Sequence, residues 1–347
     1  MPTFSIPNVR LAGVSLAVPP LREIHAGDLP LAERQRDAVC GINATTVVRQ
    51  ADREKTQADF CAQAAKQLLF DLGWSIDEVE IFVMATLTPD YPIPATAFII
   101  HEMLGVNKSS VVFDILAGPI GLLQGIQSVA SMLSNGHLKK GLLFTGAVPK
   151  HRTTELDTLN LSIKHQILGD CGAVLAFQHD PSAEPIHLDL EGNGAKSMLM
   201  AQCVGGSRHP MSPELLEKEN PYPLTMDEAR YNQMARQVLP KSLERVLAHG
   251  GKTVGDIDRA YLSPLDTFTE DHLRRTLGLP MERFRSMVFE FGIRNSGSIP
   301  AAMIAHDTTF LRNEKARLLM AAFDSGLSWG SALVTTERLV CSEIIEF

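Results

Sequence analysis

Along this chain, apolar runs of strand length alternate with longer stretches whose apolar residues recur at helical spacing. In the first half the pattern predicts strands over 9–19, 80–86, 110–115 and 140–147, and helices over 56–74, 95–105 and 120–136. Gly73 and Gly105 stand where the first two helices should end. This alternation is typical of an α/β protein whose parallel strands are buried between helices.

The second half repeats the same order of elements. It predicts strands over 258–264, 286–292 and 316–323, and helices over 269–278 and 298–313. The step from Asp114 to Leu142 and the step from Glu290 to Leu318 are both 28 residues long. Matching elements at matching spacing indicate two copies of one α/β unit, although generic α/β segments could coincide in the same way.

We expect the two halves to cover 1–180 and 181–347. Residues 180–225 are rich in Pro, Ser, Glu and Met and have little periodicity, which predicts a linker and a surface excursion there. With 45% hydrophobic and 21% charged residues among 347, the chain has the composition of an ordinary globular protein.

Charge and motif content exclude several classes of function. The net charge is −8 and no Lys/Arg run exceeds a pair, so neither nucleic acid nor a membrane surface is an expected partner. No apolar run approaches the ~18 residues of a membrane span, and the N-terminus lacks a basic signal region, so we expect a cytoplasmic protein. Five cysteines without CxxC spacing argue against zinc and disulfides, and GxGxxG and GxxxxGK[ST] loops are absent, so no cofactor is expected.

Four segments resemble the thiolase superfamily, and more narrowly its ketoacyl-ACP synthase III branch. They are FVMATLTPDYPIPATAFIIHEMLG (82–105), VVFDILAGPIGLLQGI (111–126), ILGDCGAVLAF (167–177) and FDSGLSWGSALV (323–334). The resemblance implies a five-layered αβαβα thiolase-like fold built from two duplicated halves. It also implies a dimer whose sheets join across a two-fold axis near strand 110–116.

The resemblance implies a specific chemistry as well. In the family, a cysteine at the start of a buried helix takes an acyl group from CoA or a carrier protein. The helix dipole favours its thiolate, and two backbone N–H groups hold the thioester oxyanion. A His and an Asn then support decarboxylation of a malonyl unit.

At the position of the family's nucleophile this chain has Pro119. The stretch DILAGPIG aligns without gaps on the family pattern D-I-x-x-G-C-x-G, anchored at Gly118 and Gly121. Proline has no thiol and no backbone N–H, and loss of one oxyanion donor alone slows such reactions by about 100–1,000-fold. Proline does suit the first position of a helix, so the substitution is predicted to be structurally benign.

The other two family positions are also replaced. Leu265 falls on the histidine, and Ile293 falls on the asparagine when the register is counted from Pro300. His272 lies nearby but on a predicted helix, where a solvated or capping histidine is the simpler interpretation. Asn295 is two residues away from the family position and is expected to make an ordinary turn hydrogen bond.

No other residue is a convincing nucleophile. Cys171 lies in the GDCG turn as a small buried side chain, whereas Cys61 and Cys203 have no activating motif. Ser325 and Ser328 lie in the glycine-rich turn near the degenerate site. The pentapeptide GLSWG (326–330) has GxSxG spacing, but it leads into the predicted final strand and not into the helix that a nucleophile elbow requires.

Three residues remain candidates for substrate binding, namely Ser325, Gly326 and Asn295. Gly326 aligns with the family's second oxyanion strand, where a turn that needs positive φ explains a glycine better than a surviving function does. On the CoA side, RDAVCGINATTVVRQ (36–50) lacks the family's tryptophan. Arg49 could meet a phosphate, but an exposed, solvated arginine is the simpler expectation.

The leading hypothesis is a non-catalytic subunit of an acyltransferase or condensing complex in fatty acid, polyketide or secondary-metabolite biosynthesis. An active Cys–His thiolase-fold partner would supply the chemistry, and the assembly would be a homodimer or a heteromer. Two alternatives stay open. One is an acyltransferase that uses acyl-CoA or an acyl carrier protein without a cysteine, and the other is an acyl-thioester binding protein.

Overall fold

The computed structural model describes residues 3–25, 45–148, 169–218, 224–286 and 295–347. Its strands are β1 (Thr3–Ile6), β2 (Val9–Val18), β3 (Leu21–His25), β4 (Thr45–Arg49), β5 (Ile81–Thr86), β6 (Val111–Leu116), β7 (Lys140–Ala147), β8 (Cys171–His179), β9 (Ile186–Gly192), β10 (Met200–Gln202), β11 (Leu224–Met226), β12 (Arg259–Leu262), β13 (Phe284–Arg285), β14 (Lys315–Asp324), β15 (Ser328–Glu337), β16 (Val340–Cys341) and β17 (Ile345–Glu346). Its α-helices are α1 (Gln57–Leu72), α2 (Thr96–Met103), α3 (Ile120–Leu133), α4 (Pro213–Leu216), α5 (Glu228–His249), α6 (Thr267–Leu277) and α7 (Ser298–Asn313).

Two large sheets and three helical layers form the core. The first sheet has the order β16-β2-β8-β7-β5-β6, with β17 also on β2, and the second has the order β1-β9-β15-β14-β12-β13. Helices α3 and α7 pack between the sheets in one apolar cluster. Helices α1 and α2 cover the outer face of the first sheet, and α5 and α6 cover the outer face of the second. This is the expected five-layered αβαβα arrangement.

The ends of the chain cross between the halves. Strand β1 pairs antiparallel with β9 in the second sheet, whereas β16 and β17 pair with β2 in the first sheet. Each of the two large sheets therefore contains a strand from the far end of the chain. The boundary between 1–180 and 181–347 stays a prediction.

Most of the predicted elements are confirmed within a few residues, and helix 298–313 coincides with α7. The linker predicted for 180–225 is wrong for Ile186–Gly192, because β9 is an inner strand between β1 and β15 with Leu188 and Asp189 fully buried. The strand predicted over 286–292 lies outside the described residues apart from its first position.

Close packing of α3 on the first sheet depends on two glycines. A Cβ at Gly125 would lie 2.3 Å from Leu143 Cδ1, and one at Gly121 would lie 3.0 Å from Ala85 Cβ. The bare backbone lets the helix approach β5 and β7 at these points. The start of α3 is thereby fixed at the carboxyl end of the sheet. Within the described ranges, no helix is both long and apolar enough to cross a membrane.

Asp114 on β6 caps the start of α2. Its carboxylate accepts the N–H groups of Thr96 (2.6 Å) and Ala97 (2.8 Å). Asp114→Ala should lower the free energy of unfolding by about 1–2 kcal/mol, because two helix N–H groups lose their acceptor. Urea denaturation measures this, with Glu102→Ala in the last turn of the same helix as a control expected to change stability by less than about 0.5 kcal/mol. Equal losses in both variants would contradict the capping role.

Candidate functional site

The candidate site lies where β6 of the first sheet and β14 of the second sheet end beside each other. Helix α3 begins four residues after β6, and β14 ends at Asp324. The Gly118 N–H donates to Asp324 Oδ2 at 2.7 Å, which joins the two ends. Carboxyl ends of strands are a usual place for active sites in α/β proteins.

Pro119 directly precedes α3 and already has helical backbone angles, φ −54° and ψ −35°. Its carbonyl accepts the Leu122 N–H at 3.4 Å, and the Gly118 carbonyl accepts the Gly121 N–H at 2.8 Å. The proline therefore joins the first turn without strain, as the sequence predicts. It offers a reacting group neither a side-chain nucleophile nor an N–H donor.

Asp324 is the functional-site residue that the sequence reasoning missed. Its side chain accepts the N–H groups of Gly118 and Ser325 (2.6 Å), and the Ile120 N–H also interacts with the carboxyl group and lowers its pKa. The residue is 2% exposed, and this burial raises the pKa of its carboxyl group to about 6. An acidic residue at the end of the apolar run LLMAAF (318–323) was the available signal.

The Ser325–Gly326 turn follows Asp324. Gly326 has φ +122°, which confirms the predicted need for positive φ, and it is exposed. Ser328 Oγ donates to the Ser325 carbonyl at 3.0 Å, so this hydroxyl is engaged within the turn. The proposed substrate-binding roles of Ser325 and Gly326 remain predictions.

Leu265 is buried and lies in the same apolar cluster as Phe323 and Leu327. Its backbone N–H donates to Glu270 Oε1 at 3.1 Å. The position that aligns with the family's histidine thus carries a buried apolar side chain. His272 is exposed on α6, as expected for a solvated histidine.

Asn295 holds two backbone segments together. Its Nδ2 donates to the Gly169 carbonyl at 2.9 Å, and its Oδ1 accepts the Gly297 N–H at 2.8 Å and the Cys171 thiol at 3.5 Å. Both ends of the amide are therefore used for structure, in agreement with the turn interpretation. Ile293 lies outside the described residues.

The buried cysteines are poor nucleophiles. Burial raises the pKa of the Cys171 and Cys341 thiols to about 12 and raises that of Cys61 well above its usual value. All three are therefore neutral thiols at physiological pH. Cys203 is exposed, and Cys40 lies outside the described residues.

Arg49 corrects an expectation. The sequence suggested an exposed arginine, but the side chain is buried and donates to the Pro19 carbonyl at 2.7 Å and to Glu346 Oε1 at 2.9 Å. It ties β4 to the C-terminal strand β17 and is not directed at a ligand. Most of the segment 36–50 lies outside the described residues.

Asp324 therefore brings Pro119 and the Ser325–Gly326 turn together. Leu265 belongs to the apolar cluster that contains Phe323 and Leu327, and Asn295 is engaged elsewhere. Within the part of the chain that the structure describes, no group of three or more His, Cys, Asp or Glu side chains could hold a metal ion.

Comparison with known proteins agrees with this architecture. The family model for the C-terminal part of 3-oxoacyl-[acyl-carrier-protein] synthase III matches residues 247–336. A β-ketoacyl-[acyl-carrier-protein] synthase III of Desulfitobacterium hafniense strain Y51 is 27% identical over 291 residues, 82% of this chain and 84% of the relative. A synthase III 3 of Streptomyces coelicolor is 29% identical over 303 residues, 85% of this chain and 88% of the relative.

A solved structure gives the same result for the fold. The 3-oxoacyl-(acyl-carrier protein) synthase of Burkholderia xenovorans LB400 superposes with a TM-score of 0.87 over 99% of both chains, at 24% identity. In sequence and architecture together, this chain is a thiolase-fold protein similar to the β-ketoacyl-[acyl-carrier-protein] synthase III family.

Proposed function

We propose that this chain is a non-catalytic subunit of a thiolase-fold acyltransferase or condensing complex, whose active partner chain supplies the cysteine and the histidine. The observation that carries the proposal is Pro119 at the start of α3. A proline there can neither form an acyl-enzyme nor donate to an oxyanion. Leu265, which is buried at the position that aligns with the family's histidine, also supports a non-catalytic role.

The proposed pairing surface is the free edge of the first sheet. Among the described strands, β6 pairs on one side only, with β5. We name the apolar residues exposed on β6 and on the segment 87–98 the β6 edge surface; its members are Leu87, Tyr91, Ile93, Phe98, Val111 and Leu116. Ile93 is 87% exposed and Leu116 is 76% exposed. An open strand edge with large apolar side chains favours association with another chain.

The occupant that we propose for the β6 edge surface is a second thiolase-fold chain. It is either another copy of this chain or the active partner. The relatives are named as synthases that act with acyl carrier protein, so the expected substrates of the complex are acyl-carrier-protein or CoA thioesters. Fatty acid, polyketide or secondary-metabolite biosynthesis in the cytoplasm is the expected setting.

Intact-protein mass spectrometry tests the absence of acyl-enzyme chemistry. The purified chain is incubated with acetyl-, malonyl- and longer acyl-CoA, beside a cysteine-containing synthase III as a positive control. We expect no mass increase in this chain and stoichiometric acylation of the control. An adduct that disappears when one residue is replaced would overturn the proposal and identify a nucleophile.

A second experiment tests the partnership. The chain is co-expressed with each cysteine-containing thiolase-fold chain of its source genome, and the purified complexes are analysed by native mass spectrometry. We expect one partner to form a stable heteromer whose acylation is confined to the partner. If every combination gave only free chains, and this protein alone were also monomeric, the role as a subunit would be contradicted.

A further inference from the structure

The amino end of a buried helix normally attracts an anion. The first N–H groups of a helix have no partner within it, and the dipole adds a partial positive charge. In α3 this end lies inside the protein, between two sheets, at the position where the related synthases hold a reacting thioester. What satisfies these N–H groups therefore decides whether the site can accept a substrate oxygen.

Every N–H group at the start of α3 is accounted for. Gly118 donates to Asp324, and Pro119 has no N–H. The Ile120 N–H also interacts with the Asp324 carboxyl group and lowers its pKa. Gly121 and Leu122 donate to the Gly118 and Pro119 carbonyls. No donor in this turn is left for a ligand.

The carboxylate also fills the space. A Cβ built on Gly118 would lie 2.9 Å from both oxygens of Asp324 and 3.0 Å from Leu87 Cδ1. The second oxygen, Oδ1, accepts the Ser325 N–H, so the group is anchored from the β14 side as well. A substrate oxyanion could not share this position, because two anions at such close range repel each other strongly.

From this arrangement we infer that the Asp324 carboxylate occupies the anion site at the start of α3. The acyl site of this chain is therefore blocked by one of its own side chains. The inference rests on the proposed function, because it explains how the non-catalytic site is kept closed. It goes further in one respect: Pro119→Cys alone should not recreate a reactive thiol. A second change, at Asp324, is required.

The test compares the alkylation rates of an engineered thiol by iodoacetamide at pH 7. The variants are Pro119→Cys, Pro119→Cys with Asp324→Ala, and Pro119→Cys with Glu282→Gln. The last removes an equal charge from an exposed position. Removal of the carboxylate should accelerate alkylation by about tenfold or more, because the freed N–H groups then stabilise the thiolate. The Glu282 control should react like the single variant.

Equal rates in all three variants would overturn the inference. If the double variant with Asp324→Ala does not fold, as judged by circular dichroism, the pH–rate profile of Pro119→Cys decides alone. We expect its thiol to have a pKa at or above the usual ~8.5, whereas a pKa below ~7.5 would mean that the helix end is free. Acylation of the unaltered chain by acyl-CoA would instead contradict the proposed function, so the two failures are distinguishable.

Discussion

Changing both Ile93 and Leu116 to aspartate is expected to weaken association of this chain with the proposed partner chain by at least about 100-fold, roughly 3 kcal/mol. Both side chains are large, apolar and mostly exposed at the β6 edge surface. If this surface is buried in the assembly, each new carboxylate would be desolvated without a counter-ion. Sedimentation velocity and native mass spectrometry of the homodimer or heteromer measure the effect.

Phe70→Asp provides the matched control. Phe70 is 82% exposed on α1, outside the β6 edge surface, so the same change of chemistry there should leave association intact. Dissociation of the Phe70 variant to the same extent would point to general destabilisation. Unchanged assembly of the Ile93/Leu116 variant would exclude the β6 edge as the interface.

The elements of the fold could be predicted from the sequence because their signals are local. Helix α1 ends at Gly73 with φ +63°, and Gly105, with φ +68°, follows the end of α2, as the positions of these glycines predict. Buried strands such as β5 can be recognised in the sequence by their runs of apolar residues. The order of these elements and their resemblance to a known family then suggested the layers.

Features that depend on distant contacts could not be predicted in this way. Strand β9 has a mixed sequence, and it is buried only because β1 and β15 flank it. Arg49 is buried because a carboxylate almost 300 residues away, on Glu346, and the Pro19 carbonyl accept its hydrogen bonds. The edge position of β6 likewise follows from the sheet order and not from its own residues.

In the candidate site, too, the residue with a local signal could be predicted from the sequence and the one that depends on a distant contact could not. Pro119 could be assigned from an ungapped motif, and the structure places it as expected. Asp324 escaped notice because its partner Gly118 is 206 residues away in the sequence. The two residues are nevertheless mutually consistent. Proline removes one N–H from the helix start, and the aspartate accepts the N–H of Gly118 and interacts with that of Ile120, so this helix end is complete without any ligand.

The buried carboxyl group should also make stability depend on pH. Burial raises the pKa of Asp324 from an ordinary 3.8 to about 6 in the folded protein. The folded state therefore binds more protons than the unfolded state between about pH 4 and pH 6, and the free energy of unfolding falls as pH rises through this interval. A pKa difference of this size corresponds to about 3 kcal/mol for a group that is almost fully buried.

Asp324→Asn should remove this dependence while keeping an oxygen that can accept the Gly118 N–H. Between pH 4 and pH 8 the variant should gain about 3 kcal/mol of stability relative to the unaltered chain, measured by urea denaturation at each pH.

Asp256→Asn is the control, with the opposite expected pH dependence. Hydrogen bonds from Thr253 lower the pKa of Asp256, so its contribution to stability is lost as pH falls. A difference in the free energy of unfolding between the Asp324 variant and the unaltered chain that stays constant with pH would contradict this prediction. It would mean that the carboxylate carries no desolvation penalty, because only an uncompensated buried charge makes the folded state prefer the proton.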